Sequence, residues 1–135
     1  LHSLDSTIRG MFLAEGQKRN PKLKLSQGDL LINSKRDVII WTLKDSKYMR
    51  SEPVGPTEQP IIVNEGNVNI ITKALGTSEE AKNKGPWTVQ LYLDYSGIAN
   101  ITYNGKEQNK TLTKGLYTLR IDNNAGPRQI NIVAE

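Results

Sequence analysis

The chain has no cysteine and one histidine, His2, in 135 residues. The lack of cysteine excludes disulfide staples, thiolate metal sites and cysteine nucleophiles together. No stretch approaches the roughly 20 apolar residues of a transmembrane helix. The G-x-S-x-G, G-x-x-x-x-G-K-[ST], G-x-G-x-x-G and H-E-x-x-H patterns are also missing. With histidine and cysteine so scarce, these absences point to a protein that is not an enzyme, with no cofactor and no metal. Apolar residues make up 36% and charged residues 24%, a polar balance for a globular chain. Only 11 Gly and 6 Pro argue against disorder. The length suits a single domain with one core.

The formal net charge is +4, and the one dense basic run is Lys18, Arg19, Lys22 and Lys24. Such a run can touch phosphate. Because the remaining charges are mixed in sign, it is read as a solvated link between two elements. Nucleic acid is therefore not expected as a partner.

Leu1, Leu4, Ile8 and Met11 recur at spacings of three, four and three, which puts them on one face of a helix widened by Phe12. Gly16 and Pro21 supply the stop. Gly10 costs such a helix about 1 kcal/mol relative to Ala, so it needs tertiary support. Beyond Pro21 the period falls to two. Leu23 and Leu25 lead through Gln27-Gly28 into Asp29-Ile32, a predicted first hairpin. Val38-Leu43 is apolar on both faces and β-branched, as a central strand should be. Ile61-Val63 and Val68-Thr72 form a second predicted hairpin.

Glu52-Pro60 and Gly76-Pro86 read as exposed polar loops. In Trp87-Tyr95, Trp87, Val89, Leu91, Leu93 and Tyr95 face the core, while Thr88, Gln90, Tyr92 and Asp94 face outward. Asn104-Gly105 predicts a type I′ turn between Asn100-Tyr103 and Lys106-Leu112. Leu116-Asp122 and Gln129-Val133 complete about nine or ten short strands. The expected fold is mostly β: a β-sandwich, immunoglobulin- or jelly-roll-like, with one N-terminal amphipathic α-helix. Residues 1–16 form the end of that helix and residues 17–135 a single β-sandwich domain.

Candidates for chemistry are few. His2 adjoins Ser3 and lies near Asp5, but neighbours one and three apart on a helix do not form a relay. Asp94 is the best single carboxylate, and neither Glu79, Glu80, Asp45 nor Asp122 pairs with it by pattern. Asp122-Asn123-Asn124 reads as an Asx turn rather than a calcium loop. Asn100-Ile101-Thr102 and Asn109-Lys110-Thr111 are N-glycosylation acceptor triplets if the chain is exported. Trp41, Trp87, Tyr92, Tyr95 and Tyr117 offer a sugar-stacking platform as an alternative to core packing, which suits the two tryptophans better.

The chain begins at Leu1 rather than Met, which leads us to expect a processed or trimmed upstream portion. An amphipathic helix, then Leu23-Lys24-Leu25-Ser26-Gln27-Gly28-Asp29-Leu30-Leu31-Ile32, then an all-β body reaching Gly115-Leu116-Tyr117-Thr118-Leu119-Arg120-Ile121, resembles archaeal type IV pilin-like proteins. The archaellum stator proteins share a similar plan. The resemblance implies an exported domain at the cell surface, anchored by an upstream membrane helix. It implies partners among other pilin-like or envelope subunits. Leu1, Leu4, Ile8 and Met11 are then the assembly face of the helix, turned either to neighbouring helices or to the chain's own β-domain. The competing reading is a carbohydrate-binding β-sandwich module with a glycan as partner.

Overall fold

The computed structural model describes residues 2–46, 61–65, 67–74 and 87–135. Leu1 and the two expected loops, 52–60 and 76–86, lie outside the described residues.

The helical periodicity gives a short helix, α1 (His2–Gly10), followed by one 3-10 turn at Met11–Leu13. Ala14 is already extended, and Gly16 takes φ 77. The regular helix thus stops earlier than the apolar spacing suggests, because the fourth apolar position, Met11, is reached by the tighter turn.

Eleven strands follow among the described residues: β1 (Lys18–Arg19), β2 (Lys22–Leu25), β3 (Asp29–Asn33), β4 (Val38–Ser46), β5 (Ile61–Glu65), β6 (Val68–Ala74), β7 (Trp87–Asp94), β8 (Asn100–Tyr103), β9 (Asn109–Leu112), β10 (Gly115–Asp122) and β11 (Gln129–Ala134). They build two sheets. One runs β1-β10-β11-β8 with β2 also on β10, and the other runs β5-β6-β7-β4-β3-β9. The fold is therefore mostly β and sandwich-like, with one short N-terminal helix. β4 lies inside its sheet between β3 and β7, as its two apolar faces require.

The core draws on both sheets and on the helix. Leu30, Ile32, Ile39 and Leu93 come from the six-stranded sheet, and Ile101, Ile121, Ile130 and Ile132 from the five-stranded one. Leu4, Ile8 and Met11 join the same cluster. Each large aliphatic side chain buried in this way contributes about 1.5–3 kcal/mol. Asp37 bridges the layers. It adopts φ 58, a conformation Asp tolerates, and its Oδ1 accepts the backbone N–H of Ile101 at 2.8 Å while its carbonyl accepts that of Tyr95 at 2.9 Å.

Three expectations are corrected. β2 and β3 do not form a hairpin, since β2 pairs with β10 and β3 with β4 and β9. Local alternation identified both strands, but which sheet each joins is decided by long-range burial. The Asn104-Gly105 turn is present, with φ 52 and 75. However, its ladder ends at the Tyr103–Lys106 bridge, and β9 crosses to the other sheet. Thr88, expected to face solvent, is only 7% exposed, comparable with Val89 at 2%. At that end of β7 both faces are covered.

Ser34, in the turn after β3, is 1% exposed and its Oγ has no hydrogen-bond partner. A buried hydroxyl without a partner costs more than it contributes. Ser34→Ala is expected to leave stability unchanged or raise it by about 1 kcal/mol, as read from a urea unfolding midpoint. A loss of that size would reveal a hydrogen bond at Oγ.

Candidate functional site

The most constrained polar groups lie where the helix meets the sandwich. Asp5 follows the apolar Leu4 on α1 and is carried inward with it, so that its side chain is only 6% exposed. An isolated buried carboxylate is strongly unfavourable, and three partners surround this one. Tyr95 Oη donates to Oδ1 at 2.7 Å, Arg9 Nε donates to the same oxygen at 2.9 Å, and Asn67 Nδ2 donates to Oδ2 at 3.3 Å. Arg9 is one helical turn along, the spacing at which such pairs meet, and its guanidinium also lies 5.4 Å from the Tyr95 ring centre.

Burial, reinforced by the hydrogen bond to Asp5 and its negative charge, pushes the Tyr95 hydroxyl far above the usual tyrosine range, against a smaller opposing effect of Arg9. Tyr95 thus remains a proton donor. The linkage follows from the sign: a folded-state pKa above the unfolded value gives stability that is complete below about pH 10 and falls as pH rises beyond it. Wild-type stability should drop above pH 10 by about 1.4 kcal/mol per pH unit more steeply than that of Tyr95→Phe. Parallel alkaline slopes in urea titrations would contradict this.

A second anchor is Asn123, which is fully buried. Its Nδ2 donates to the carbonyls of Met11 and Ala14, both at 2.7 Å, and to that of Pro127 at 3.2 Å. Its Oδ1 accepts the Gln17 N–H at 2.7 Å. The expected Asx turn is also there, as the Asn124 N–H reaches Asp122 Oδ1 at 3.4 Å. Nearby, Arg128 stacks over Phe12 at 5.3 Å. Together these contacts fasten the helix and the segment after it to both sheets.

The other sequence candidates are scattered. Leu4, Ile8 and Met11 are buried against the chain's own β-domain, one of the two surroundings considered for that face. Asn100 Nδ2 donates to Gln129 Oε1 at 2.9 Å on half-buried β8, whereas Asn109 is exposed on the edge strand β9. Asp94 is exposed and accepts from the backbone N–H of Ser96 at 2.9 Å and its hydroxyl at 2.7 Å. Among the described residues no group of three or more His, Asp or Glu could hold a metal ion, and no helix is long and apolar enough to cross a membrane.

Among the described residues the aromatics do not gather on one surface, and the Trp87 side chain lies outside them. Trp41 is half-buried against the core and its Nε1 donates to the Gln27 carbonyl. Tyr95 is buried, and Tyr117 Oη donates to the Thr113 carbonyl in the other sheet. Tyr92 Oη donates to Gln90 Oε1, whose amide in turn donates to Thr42.

A depression of about 430 Å³ lies on the five-stranded sheet and is lined chiefly by Asn20, Asn104, Arg120, Asp122, Asn124 and Asn131. It is polar, and Asn131 is held within it by donating to Asp122 Oδ2 at 3.3 Å. The helix anchors were not read from sequence. The sequence pattern offers Asp5 only as part of a relay with His2, and Asn123 only as a turn residue. The one available signal was a charged residue beside an apolar helical stripe. Compared with models of protein families, with curated proteins and with solved structures, the chain matches none of them.

Proposed function

We propose that this chain is a non-enzymatic structural or adhesive subunit, the exported domain of a membrane-anchored pilin-like protein acting through assembly with other pilin-like or envelope subunits. The observation that carries the reading is the fastening of α1 to the β-body. Leu4, Ile8 and Met11 enter the common core, and Asp5 and Asn123 pin both ends of the segment with buried hydrogen bonds. A subunit that is positioned by its helix needs this coupling, because a flexible linker would leave the β-body free to swing. With the apolar stripe used internally, contacts with neighbours fall to the outer surface. Leu13 and Leu116 are 89% and 71% exposed there.

The test is surface labelling and cross-linking in cells that make the natural gene product. The reading expects labelling from outside, recovery with the cell envelope and cross-linked species larger than the monomer. A freely soluble protein that cross-links to nothing would refute it. A second reading, a carbohydrate-binding module, draws support from the amide-rich depression. Its planar amides, with Arg120 and Asp122, suit the paired hydroxyls of a saccharide. Glycan-array binding abolished by Arg120→Ala would favour that reading.

A further inference from the structure

The Asn104-Gly105 dipeptide is the only Asn-Gly pair in the sequence. Asn side chains followed by Gly are chemically labile, because the unhindered glycine nitrogen can reach the side-chain carbonyl; such asparagines are among the thermolabile residues that heat-stable proteins reduce. Here both residues are exposed and occupy the two central positions of the tight turn, at φ 52 and 75. The turn is closed by Tyr103 N–H to Lys106 O at 2.9 Å and Lys106 N–H to Tyr103 O at 3.1 Å. The glycine nitrogen itself is not free. Its N–H donates to Asn131 Oδ1 at 2.7 Å. That oxygen also accepts from Thr102 Oγ1 at 3.0 Å, and the Asn131 amide is anchored on Asp122.

We propose that Asn104 is a deamidation site and that Asn131 is the positioning residue that sets its rate. In the reaction the Gly105 nitrogen attacks Asn104 Cγ and a C–N bond forms. The Cγ–Nδ2 bond breaks, and ammonia leaves with the proton that the Gly105 nitrogen gives up. The cyclic imide that remains takes up water at one of its two carbonyls and opens to aspartate or isoaspartate. No oxidant or cofactor is required. The nitrogen must lose the proton that Asn131 Oδ1 holds and swing toward Cγ, so the hydrogen bond opposes the first step. Once formed, isoaspartate lengthens the backbone by a methylene inside a two-residue turn. It also adds a negative charge to the depression that Asn104 and Asp122 both line. The added methylene falls between the Asn104 N–H, which donates to Ile132 O at 3.0 Å at the end of the parallel β8–β11 pair, and the Gly105 N–H held by Asn131, and so strains the turn. The turn thereby acts as an age mark at the edge of the five-stranded sheet.

The test is site-resolved peptide mapping after warm incubation in mildly alkaline buffer, for the wild type, Asn131→Ala and Asn131→Asp. Asn104 should convert several-fold to about tenfold faster in Asn131→Ala, the rate equivalent of one net hydrogen bond. Asn109 and Asn124 should keep their wild-type rates. Asn131→Asp retains an oxygen for the Gly105 N–H and should remain near the wild-type rate at Asn104, although it too loses the amide contact with Asp122. Equal rates at Asn104 in the wild type and Asn131→Ala would overturn the proposal. So would uniform acceleration at every asparagine, which would signal unfolding instead of loss of a specific guard.

Discussion

Asn123→Ala should lower the free energy of unfolding by about 3–5 kcal/mol, the largest effect expected of any polar substitution here. The substitution removes a donor from the carbonyls of Met11, Ala14 and Pro127 and an acceptor from the Gln17 N–H, at a position with no exposure. Buried backbone groups left without partners lose their full solvation, not merely the net value of a hydrogen bond. Asn123→Asp makes the comparison sharper. It preserves shape and the acceptor for Gln17, but it turns an oxygen toward the carbonyls of Met11 and Ala14. The aspartate variant should therefore be no more stable than the alanine variant in urea unfolding. Near-wild-type stability for either would mean that Asn123 does not tie down the segment after the helix.

Gly28→Ala should cost about 2–5 kcal/mol, summing left-handed backbone strain and overpacking. Gly28 has φ 78, and a Cβ built there would meet Thr42 O and Trp41 Nε1 at 2.7 Å each. The carbonyl cannot withdraw without disturbing β4, and the indole is held by its hydrogen bond to Gln27 O at 3.1 Å. Gly105→Ala is the natural control. Its φ is similar, 75, but nothing lies within 4 Å of the added methyl. The difference in unfolding midpoint between the two variants isolates steric contact from backbone strain. Equal losses would show that the tight approach to Trp41 relaxes freely.

The sequence revealed most where a local rule coincided with the global packing. β4 declared itself by being apolar on both faces, and it sits inside a sheet. Ile61-Val63 and Val68-Thr72 read as a hairpin, and β5 pairs antiparallel with β6. The Asn104-Gly105 turn was legible because its two positive φ angles demand those residues. Partner choice was not legible, as the β2–β3 reading shows. Period-two alternation tells which side chains are buried but not against which sheet. The crossing of β9 to pair with β3 depends on burying Leu112 opposite Leu30, a contact spanning more than eighty positions of chain.

The anchors of the helix were hidden for a related reason. Asp5 and Asn123 belong to residue types usually found in water, and only their distant partners explain their burial. Asp5 meets Tyr95 ninety positions away, and Asn123 meets Met11 across 112 positions. By contrast, Leu4, Ile8 and Met11 were recognised as one face from spacing alone. What that face packs against was left between neighbouring helices and the β-domain, because an apolar stripe carries no record of its partner.

In the proposed subunit the helix is coupled to the β-body because α1 and the sandwich behave as one cooperative unit. Native-state hydrogen exchange reads this cooperativity by comparing the opening free energies of the Ile8 and Arg9 amides with those of Ile39, Leu93 and Ile132. The helix amides should exchange only through openings nearly as costly as those of the buried strands, and Asn123→Ala and Tyr95→Phe should lower both sets together. Helix amides exchanging at close to unprotected rates while the strand amides stay protected would contradict it.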